Sequence, residues 1–281
     1  MDIQQIKIGF IGASKTGTVI ANYFKYKGLK VVGFYSISLD SLNTTISLTN
    51  TYKFSSIQDL VVNSDLIFIT VKDDYLSKVY AQIEFLENIK NKFFCHCSGL
   101  YPANLFKQKF NCGSIHPIYT FNNKNILPEK LNNLTFALEG DNATLNLLKQ
   151  ILNLTQNSYF ILKAKYKINY HLAGMLLSSG LLAVFTLVLE ITKPIPNFKP
   201  ELLLDLSNNV INNLKTKVSI TNTLTGPLKR ADIDTFQKYF TILDKHQKSV
   251  LANLMLTLLP SAGLNHEEKD KLNKIFELEK G

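Results

Sequence analysis

Residues 6–17 read I-K-I-G-F-I-G-A-S-K-T-G, an apolar run that leads into a turn with Gly12 and Gly17 at its ends. An apolar run of this length predicts a buried strand, and residues 18–26 after the turn have a helical pattern. A glycine turn between a strand and a helix allows a tight reversal and presents helix amides to an anion. The stretch therefore predicts the first strand–turn–helix unit of a dinucleotide-binding sheet.

The remainder of the first half repeats this alternation of strands and helices. Residues 65–71 (D-L-I-F-I-T-V) form a nearly unbroken apolar run, which is typical of a strand buried on both faces of a parallel sheet. Further strands are predicted at residues 30–35, 92–97 and 134–138, and only helical patterns follow residue 162. We therefore predict an α/β doubly wound parallel sheet, the Rossmann fold, over residues 1–162. An all-α domain for substrate binding and dimerisation is predicted over residues 163–281.

Composition excludes several functional classes. The net charge of +9 comes from singly scattered lysines and a single arginine, so no nucleic-acid partner is predicted. The three cysteines have neither metal-ligand nor disulfide-framework spacing, so no metal is predicted either. The first five residues do not resemble a signal peptide, which predicts a cytoplasmic protein. Residues 172–189 carry no charge and are long enough to cross a bilayer, but the expectation is a packed helix rather than a membrane span.

The glycine turn predicts where a cofactor binds. Gly12 and Gly17 occupy the first and third glycine positions of the dinucleotide-binding turn, and Ser14 replaces the second glycine. The predicted contacts to the pyrophosphate come from the whole turn, Gly12, Ala13, Ser14, Lys15, Thr16 and Gly17. The alternative is a sheet of this type that no longer binds a cofactor.

The end of the second strand predicts which dinucleotide is bound. Residues 34–38 read F-Y-S-I-S, and no acid precedes Asp40 to bind the ribose of NAD. Ser36 and Ser38 offer hydroxyl donors to a 2′-phosphate, and Lys15 is the predicted positive charge. NADP is therefore the predicted cofactor, with NAD as the alternative.

A series of short motifs resembles a known family over nearly the whole chain. They are T-V-K-D-D at 70–74, H-C-S-G at 96–99, S-I-H-P at 114–117, A-L-E-G-D at 137–141, Y-H at 170–171 and L-T-G-P at 224–227. The chain resembles proteins that join a Rossmann-like domain to a C-terminal domain of unknown function 2520. These are related to pyrroline-5-carboxylate reductase, ketopantoate reductase and the β-hydroxyacid dehydrogenases, with a helical domain like that of 6-phosphogluconate dehydrogenase. The chain departs from the family pattern at Ser14, Lys72 and Ser179, where Gly, Pro and Asn are common.

The resemblance implies a set of residues around the nicotinamide. Val71 and Lys72 follow one strand, and Ser98 and Gly99 follow another, so these two loops are expected to flank the ring and its ribose. For Ser98, an ordinary helix cap is the equal alternative.

The start of the long helix predicts the proton chemistry. Lys167, His171, Gly174 and Ser178 are four, three and four residues apart, which places them on one helix face. In the β-hydroxyacid dehydrogenases a lysine at the corresponding place is the acid–base group, so Lys167 and His171 are predicted to be catalytic. The alternatives are a solvent-exposed lysine and a core histidine.

His116, Ser178 and Arg230 are the predicted substrate contacts. His116 is equally compatible with a turn histidine, and Arg230 with a structural ion pair to Asp232 or Asp234. The predicted function is NADP-linked hydride transfer, in an interdomain cleft, to or from a small carbonyl or imine compound, by a homodimer joined through the helical domain. The alternative is a non-catalytic sensor or scaffold that binds NAD(P).

Overall fold

A computed structural model of the protein describes residues 2–104, 110–217 and 219–281. The chain forms two compact units, Met1–Ser178 and Ser179–Gly281. The division lies inside the long helix, because the first turns of that helix pack on the strand-rich unit. The domain boundary predicted at residue 162 lies instead just after the last strand, and the division into a cofactor domain and a helical domain there stays a prediction.

Within the described ranges, eight strands form one sheet in the order β3-β2-β1-β4-β5-β6-β7-β8. The strands are β1 (Ile8–Ile11), β2 (Val31–Tyr35), β3 (Tyr52–Lys53), β4 (Leu66–Ile69), β5 (Phe93–His96), β6 (Asn111–Pro117), β7 (Thr135–Gly140) and β8 (Ser158–Ile161). Strands β1 to β6 pair in parallel, which confirms the predicted doubly wound sheet. Strand β7 runs antiparallel to β6, and β8 is parallel to β7. The sheet is thus parallel at its centre and mixed at one end.

Within the part of the chain that the structure describes, five helices cover the two faces of this sheet. They are α1 (Lys15–Tyr26), α2 (Leu39–Thr49), α3 (Ile57–Val62), α4 (Leu76–Glu84) and α5 (Asn142–Thr155). Residues of α1 and α5 share one apolar cluster with the sheet, and residues of α3 and α4 share a second one. Because both faces are covered, β1 and β4 are buried along their entire length.

A long helix spans Ala164–Thr192 and contains α6 (Lys167–Met175), a π-helical turn (Leu176–Gly180) and α7 (Leu181–Thr192). Among the described residues, this is the one helix that is long enough and apolar enough to cross a membrane, judged by length and composition alone. None of its most apolar stretch is buried. If this helix is packed, as predicted, its apolar stretch must therefore pack against a surface from outside the single chain.

The second unit is helical beyond the long helix. Its helices are α8 (Leu204–Lys217), α9 (Ile220–Thr223), α10 (Ile233–Ile242), α11 (Lys245–Leu258) and α12 (His266–Glu279). Phe236, Phe240 and Phe276 pack together at the centre of a small apolar core formed by α10, α11 and α12. Asp244 and Asn265 begin α11 and α12 with capping boxes, which fixes where each of the two helices starts.

Candidate active site

The turn between β1 and α1 is tight and packs closely against the end of β4. Gly12 has a φ of +99°, and a Cβ there would lie 2.8 Å from Val71 Cγ1. A Cβ on Gly17 would overlap the hydroxyl of Thr70, so α1 packs directly on the end of β4. Thr70 Oγ1 donates to the carbonyl of Gly12 at 2.7 Å and holds the turn in place. Both glycines are therefore needed where the sequence predicts them.

Ser14, which replaces the second glycine, caps α1. Its Oγ accepts a hydrogen bond from the amide of Gly17 at 3.1 Å. The first amides of a helix have no acceptor within the helix, and Ser14 satisfies that of Gly17. Lys15 and Thr16 open the same turn, so their amides are the donors that remain for an anion.

A chain of hydroxyl groups leads from the glycine turn to the end of β2. Ser36 Oγ accepts from the amide of Ser38, and Ser38 caps α2 by accepting from the amide of Ser41. The hydroxyl of Ser41 donates to the carbonyl of Ala13 at 2.8 Å. The two predicted serines are thus linked through α2 to the turn.

Lys124 brings a positive charge to the start of α2. The residue predicted to supply this charge is Lys15. The ammonium of Lys124 donates to the carbonyl and the hydroxyl of Ser41 at 2.8 and 2.7 Å, and to Thr45 Oγ1 at 3.0 Å. Lys15 is exposed in the first turn of α1. Lys124 lies between β6 and β7, about eighty residues from Ser41, so no local pattern indicates it.

The loop after β5 is held by Ser98. Its Oγ accepts from the amides of Leu100 and Tyr101, both at 3.2 Å, and donates to Asp73 Oδ2 at 2.9 Å. These contacts cap the bend that follows β5 rather than a helix, and they tie the β5 loop to the short helical turn after β4. The predicted contact of Ser98 with a cofactor stays a prediction.

Val71 and Lys72 lie between β4 and that turn, with Val71 partly buried and Lys72 exposed. Val71 contacts the space that a Cβ on Gly12 would occupy, so it borders the glycine turn. Their predicted contacts with the nicotinamide ribose also stay predictions.

His96 is a structural histidine. Its Nδ1 accepts from the amide of Ser98, so its Nε2 carries the proton and donates to the carbonyl of Pro102 at 3.3 Å. Burial lowers the pKa of His96 to about 3, and the charge of Lys167 contributes in the same direction. The ring is therefore neutral at pH 7 and is fully occupied in holding the loop after β5.

Lys167 is buried, although it is the first residue of α6. It is only 2% exposed, its ammonium donates to Ser114 Oγ at 2.7 Å, and it pairs with Glu139 Oε2 at 3.1 Å. Ser114 and Glu139 face each other across β6 and β7, so the ion pair joins α6 to both strands. Glu139 also accepts from the amide of Ala103 at 3.1 Å. Burial lowers the pKa of Lys167, and Glu139 acts in the opposite direction. The catalytic role of Lys167 stays a prediction, since its amine is enclosed by these partners.

His116 is joined to Tyr170, one helical turn after Lys167. The His116 Nδ1 and Tyr170 Oη atoms are 2.7 Å apart, and the two rings meet edge to face. A Cβ on Gly99 would lie 2.9 Å from His116 Nε2, so the β5 loop lies directly against the imidazole. His171 is exposed on the same helix. The groups around the start of α6 thus include the predicted residues Gly99 and His116. They also include Tyr170, Ser114 and Glu139, which the sequence did not indicate as site residues.

The remaining predicted site residues have local contacts. Ser178 lies in the π-helical turn and donates to the carbonyls of Gly174 and Met175, so its hydroxyl is bound to its own helix. Arg230 is exposed in the second unit, and no ion pair of Arg230 occurs within the described ranges. Asp232 instead caps α10 and accepts from Thr235. The substrate roles of Ser178 and Arg230 stay predictions.

Comparison with known sequences finds a family model that matches part of the chain. Residues 134–257 match Domain of unknown function DUF2520. The match begins just before β7 and includes Glu139, Lys167 and Tyr170, and it confirms the resemblance that the motifs indicate. No curated protein sequence matches the chain.

Solved structures share the fold over nearly the whole chain. A protein from Bacteroides fragilis, named as a candidate NADP oxidoreductase, is 18% identical with a TM-score of 0.75, and 97% of this chain matches 100% of it. Protein TM1727 from Thermotoga maritima is 24% identical with a TM-score of 0.64, and 98% of this chain matches 100% of it. Pyrroline carboxylate reductase from Plasmodium falciparum, solved with NADP bound, is 15% identical with a TM-score of 0.59, and 98% of this chain matches 99% of it.

Proposed function

We propose that the protein is an NADP-dependent oxidoreductase that transfers hydride to or from a small carbonyl or imine compound. The observation that carries this proposal is the β1–α1 turn, where Gly12 at φ +99° leaves the α1 amides open beside the carboxyl ends of β4 and β5. In sheets of this type ligands bind outside those strand ends. Two of the similar structures described above are named for NADP or were solved with it, which supports the same cofactor here.

The residues present fit NADP. The amides of Lys15 and Thr16 would bind the pyrophosphate, and the β5 loop at Ser98 and Gly99 would lie beside the nicotinamide. Ser36 and Ser38, with Lys124 at Ser41, would bind the 2′-phosphate, and residues 34–39 contain no carboxylate that would repel it. When bound, the dihydronicotinamide supplies the hydride. The protein would hold the proton at the start of α6, where Lys167 and His171 are the predicted acid–base residues.

A change in the first turn of α1 tests cofactor binding without breaking the fold. Thr16→Asp places a carboxylate among the amides of that turn, where it stabilises the helix but repels a pyrophosphate. We expect NADPH affinity, measured by calorimetric titration, to fall at least about tenfold, which corresponds to ~1.4 kcal/mol. The matched control is His246→Asp at the same position of α11, which should bind NADPH like the wild type.

The outcomes of this titration separate the two functions that the sequence leaves open. Absence of NADPH and NADH binding by the wild type at millimolar concentration would contradict the oxidoreductase proposal. Binding of NADPH without turnover of any carbonyl or imine compound would favour the sensor or scaffold.

We also propose that the enzyme is a soluble, cytoplasmic homodimer joined through the long helix. Leu177 and Leu182 are 81% and 67% exposed, and apolar side chains on α8 are exposed as well. An exposed apolar surface of this extent marks a contact with another molecule. The apolar residues of α8 alternate with Asn, Asp and Lys, which suits a second protein chain better than lipid.

A further inference from the structure

Tyr170 and His116 form an acid–base pair within the proposed site. Their hydrogen bond, 2.7 Å between Oη and Nδ1, joins two side chains that are only partly buried. The neighbouring groups are occupied otherwise: His96 binds two backbone groups, and Lys167 binds Ser114 and Glu139. The pair is thus placed to exchange a proton with both a ligand and solvent.

Packing fixes the position of the pair. Gly99 lies against the His116 ring on one side, and Phe160 meets the Tyr170 ring edge to face at 5.9 Å between centroids. Lys167 anchors α6 to the sheet one turn before Tyr170. Since Gly99 belongs to the loop proposed to border the nicotinamide, the phenol lies near the place where a substrate would receive hydride.

Both members of the pair are uncharged at neutral pH. The pKa of His116 is lowered to about 4, mainly by burial, and the nearby His171 and Lys167 act in the same direction. Burial raises the pKa of Tyr170. The pair therefore offers a neutral hydrogen-bond donor to an oxygen atom that gains negative charge.

We propose that Tyr170 donates the proton to the carbonyl oxygen of a ketone or aldehyde substrate, and that His116 positions and reprotonates it. This assignment rests on the proposed function. Hydride from the dihydronicotinamide would form the new C–H bond, and the electron pair of the C=O π bond would move to oxygen. That oxygen takes the Tyr170 proton, the phenolic oxygen takes the Nδ1 proton of His116, and His116 Nε2 takes a proton from solvent in the same relay, so that the imidazole stays neutral. One hydride and one proton are added in total.

The neutral pair also selects among substrate classes. A ketone needs a proton as hydride arrives, whereas an iminium ion already carries its positive charge and needs none. Reduction of a permanently cationic iminium compound should therefore not depend on Tyr170. This difference separates a proton donor from a residue that only supports the fold.

The experiment compares cyclohexanone with N-methyl-1-pyrrolinium as substrates, following loss of the NADPH absorbance. We expect Tyr170→Phe to lower kcat for cyclohexanone about 100-fold. It should leave reduction of the iminium compound, and the Kd for NADPH measured by calorimetry, within about twofold of wild type. The matched control is Tyr166→Phe, since Tyr166 is an exposed tyrosine on the same helix. His116→Phe should lower kcat for cyclohexanone, leave its KM, and shift the pH profile.

Several results would overturn the assignment. Equal losses with both compounds in Tyr170→Phe would mean that the phenol only supports the fold. A comparable selective loss in His171→Ala would move the proton donor to that residue, and wild-type turnover of the iminium compound alone would exclude a carbonyl donor. NADPH binding with turnover of neither compound would also reject the donor, whereas absence of NADPH binding would reject the proposed function itself.

Discussion

Gly99 determines how closely the β5 loop approaches His116. A Cβ at this position would lie 2.9 to 3.1 Å from three ring atoms of the imidazole, so Gly99→Ala must displace either the ring or the loop. We expect the His116–Tyr170 hydrogen bond to weaken, because a displacement of the imidazole would lengthen or bend a bond that is 2.7 Å long. Nitrogen-15 NMR of the histidine rings measures this directly as a change in the Nδ1 resonance of His116.

The Gly99→Ala measurement has internal reference signals. His246 and His266 lie in the second unit, and their resonances should stay unchanged. An unchanged His116 resonance in a folded Gly99→Ala protein would contradict the contact.

Lys124 and Lys15 are competing candidates for the positive charge that recognises the 2′-phosphate. Lys124 is held by two hydrogen bonds to Ser41 and one to Thr45, whereas Lys15 is exposed. We expect Lys124→Met to lower the preference for NADPH over NADH about tenfold, and Lys15→Met to change it less, because an exposed charge is screened. Calorimetric titration with both nucleotides gives the ratio. A larger loss in Lys15→Met would restore the sequence-based assignment.

At this scale, local sequence predicts local geometry. Gly12, Ser14 and Gly17 are adjacent in the chain, so their strand–turn–helix role is readable from the pattern alone. Lys124, Glu139 and Tyr170 reach the site through contacts between distant segments, and no spacing rule connects them. The predicted roles of Lys167 and His171 depend on their sharing one helix face. That spacing does not reveal that the amine of Lys167 points inward and pairs with Glu139.

Among the elements, α6 is joined to β6 and β7 by the Lys167–Glu139 ion pair. Removing one partner leaves the other as an uncompensated charge in a buried place. We expect Lys167→Met to destabilise the strand-rich unit by about 3 kcal/mol, seen as a lower urea midpoint for its unfolding.

The double change Lys167→Met with Glu139→Gln provides the control for that pair. It removes both charges, so it should recover most of the lost stability. A double variant that is less stable than Lys167→Met would show that the two side chains do not act as a pair.

The elements themselves were predicted unevenly. The central strands β1, β4 and β5 are apolar along their length, and burial on both faces makes them recognisable in the sequence. The antiparallel direction of β7 and the short edge strands β3 and β8 depend on pairing partners, which single-sequence patterns do not encode. The π-helical turn Leu176–Gly180 was likewise unpredicted, since its residues fit an ordinary α-helix pattern.

The strand-rich unit, which contains His96 and His116, should lose stability as the pH falls below about 6.5. The pKa is lowered in the folded protein to about 3 for His96 and about 4 for His116, so the unfolded chain binds more protons in this range. The stabilisation is complete above the unfolded pKa of about 6.5. As the pH falls below that value, the protonation of each histidine in the unfolded chain lowers the free energy of unfolding by up to about 1.4 kcal/mol per pH unit. Urea unfolding at pH 7 and pH 5 measures the slope.

His96→Asn tests the origin of that slope. The amide oxygen of the new side chain can accept from Ser98 N–H as Nδ1 does, but it cannot be protonated. We expect the variant to show a shallower pH dependence than the wild type. An unchanged slope would assign the acid sensitivity to other groups.

The apolar surface of the long helix predicts the oligomeric state. A stable homodimer interface buries at least about 1,000 Å² in total, and such interfaces are built around apolar side chains of the kind exposed at Leu177 and Leu182. We expect light scattering to give twice the mass of the chain, and Leu182→Glu to give a monomer because a carboxylate would be buried without a partner. The control is Leu278→Glu on α12, since Leu278 is 83% exposed outside this surface and its change should leave the dimer intact. A monomeric wild type that binds lipid vesicles through the same helix, with binding lost in Leu182→Glu, would contradict the dimer and assign the surface to a membrane.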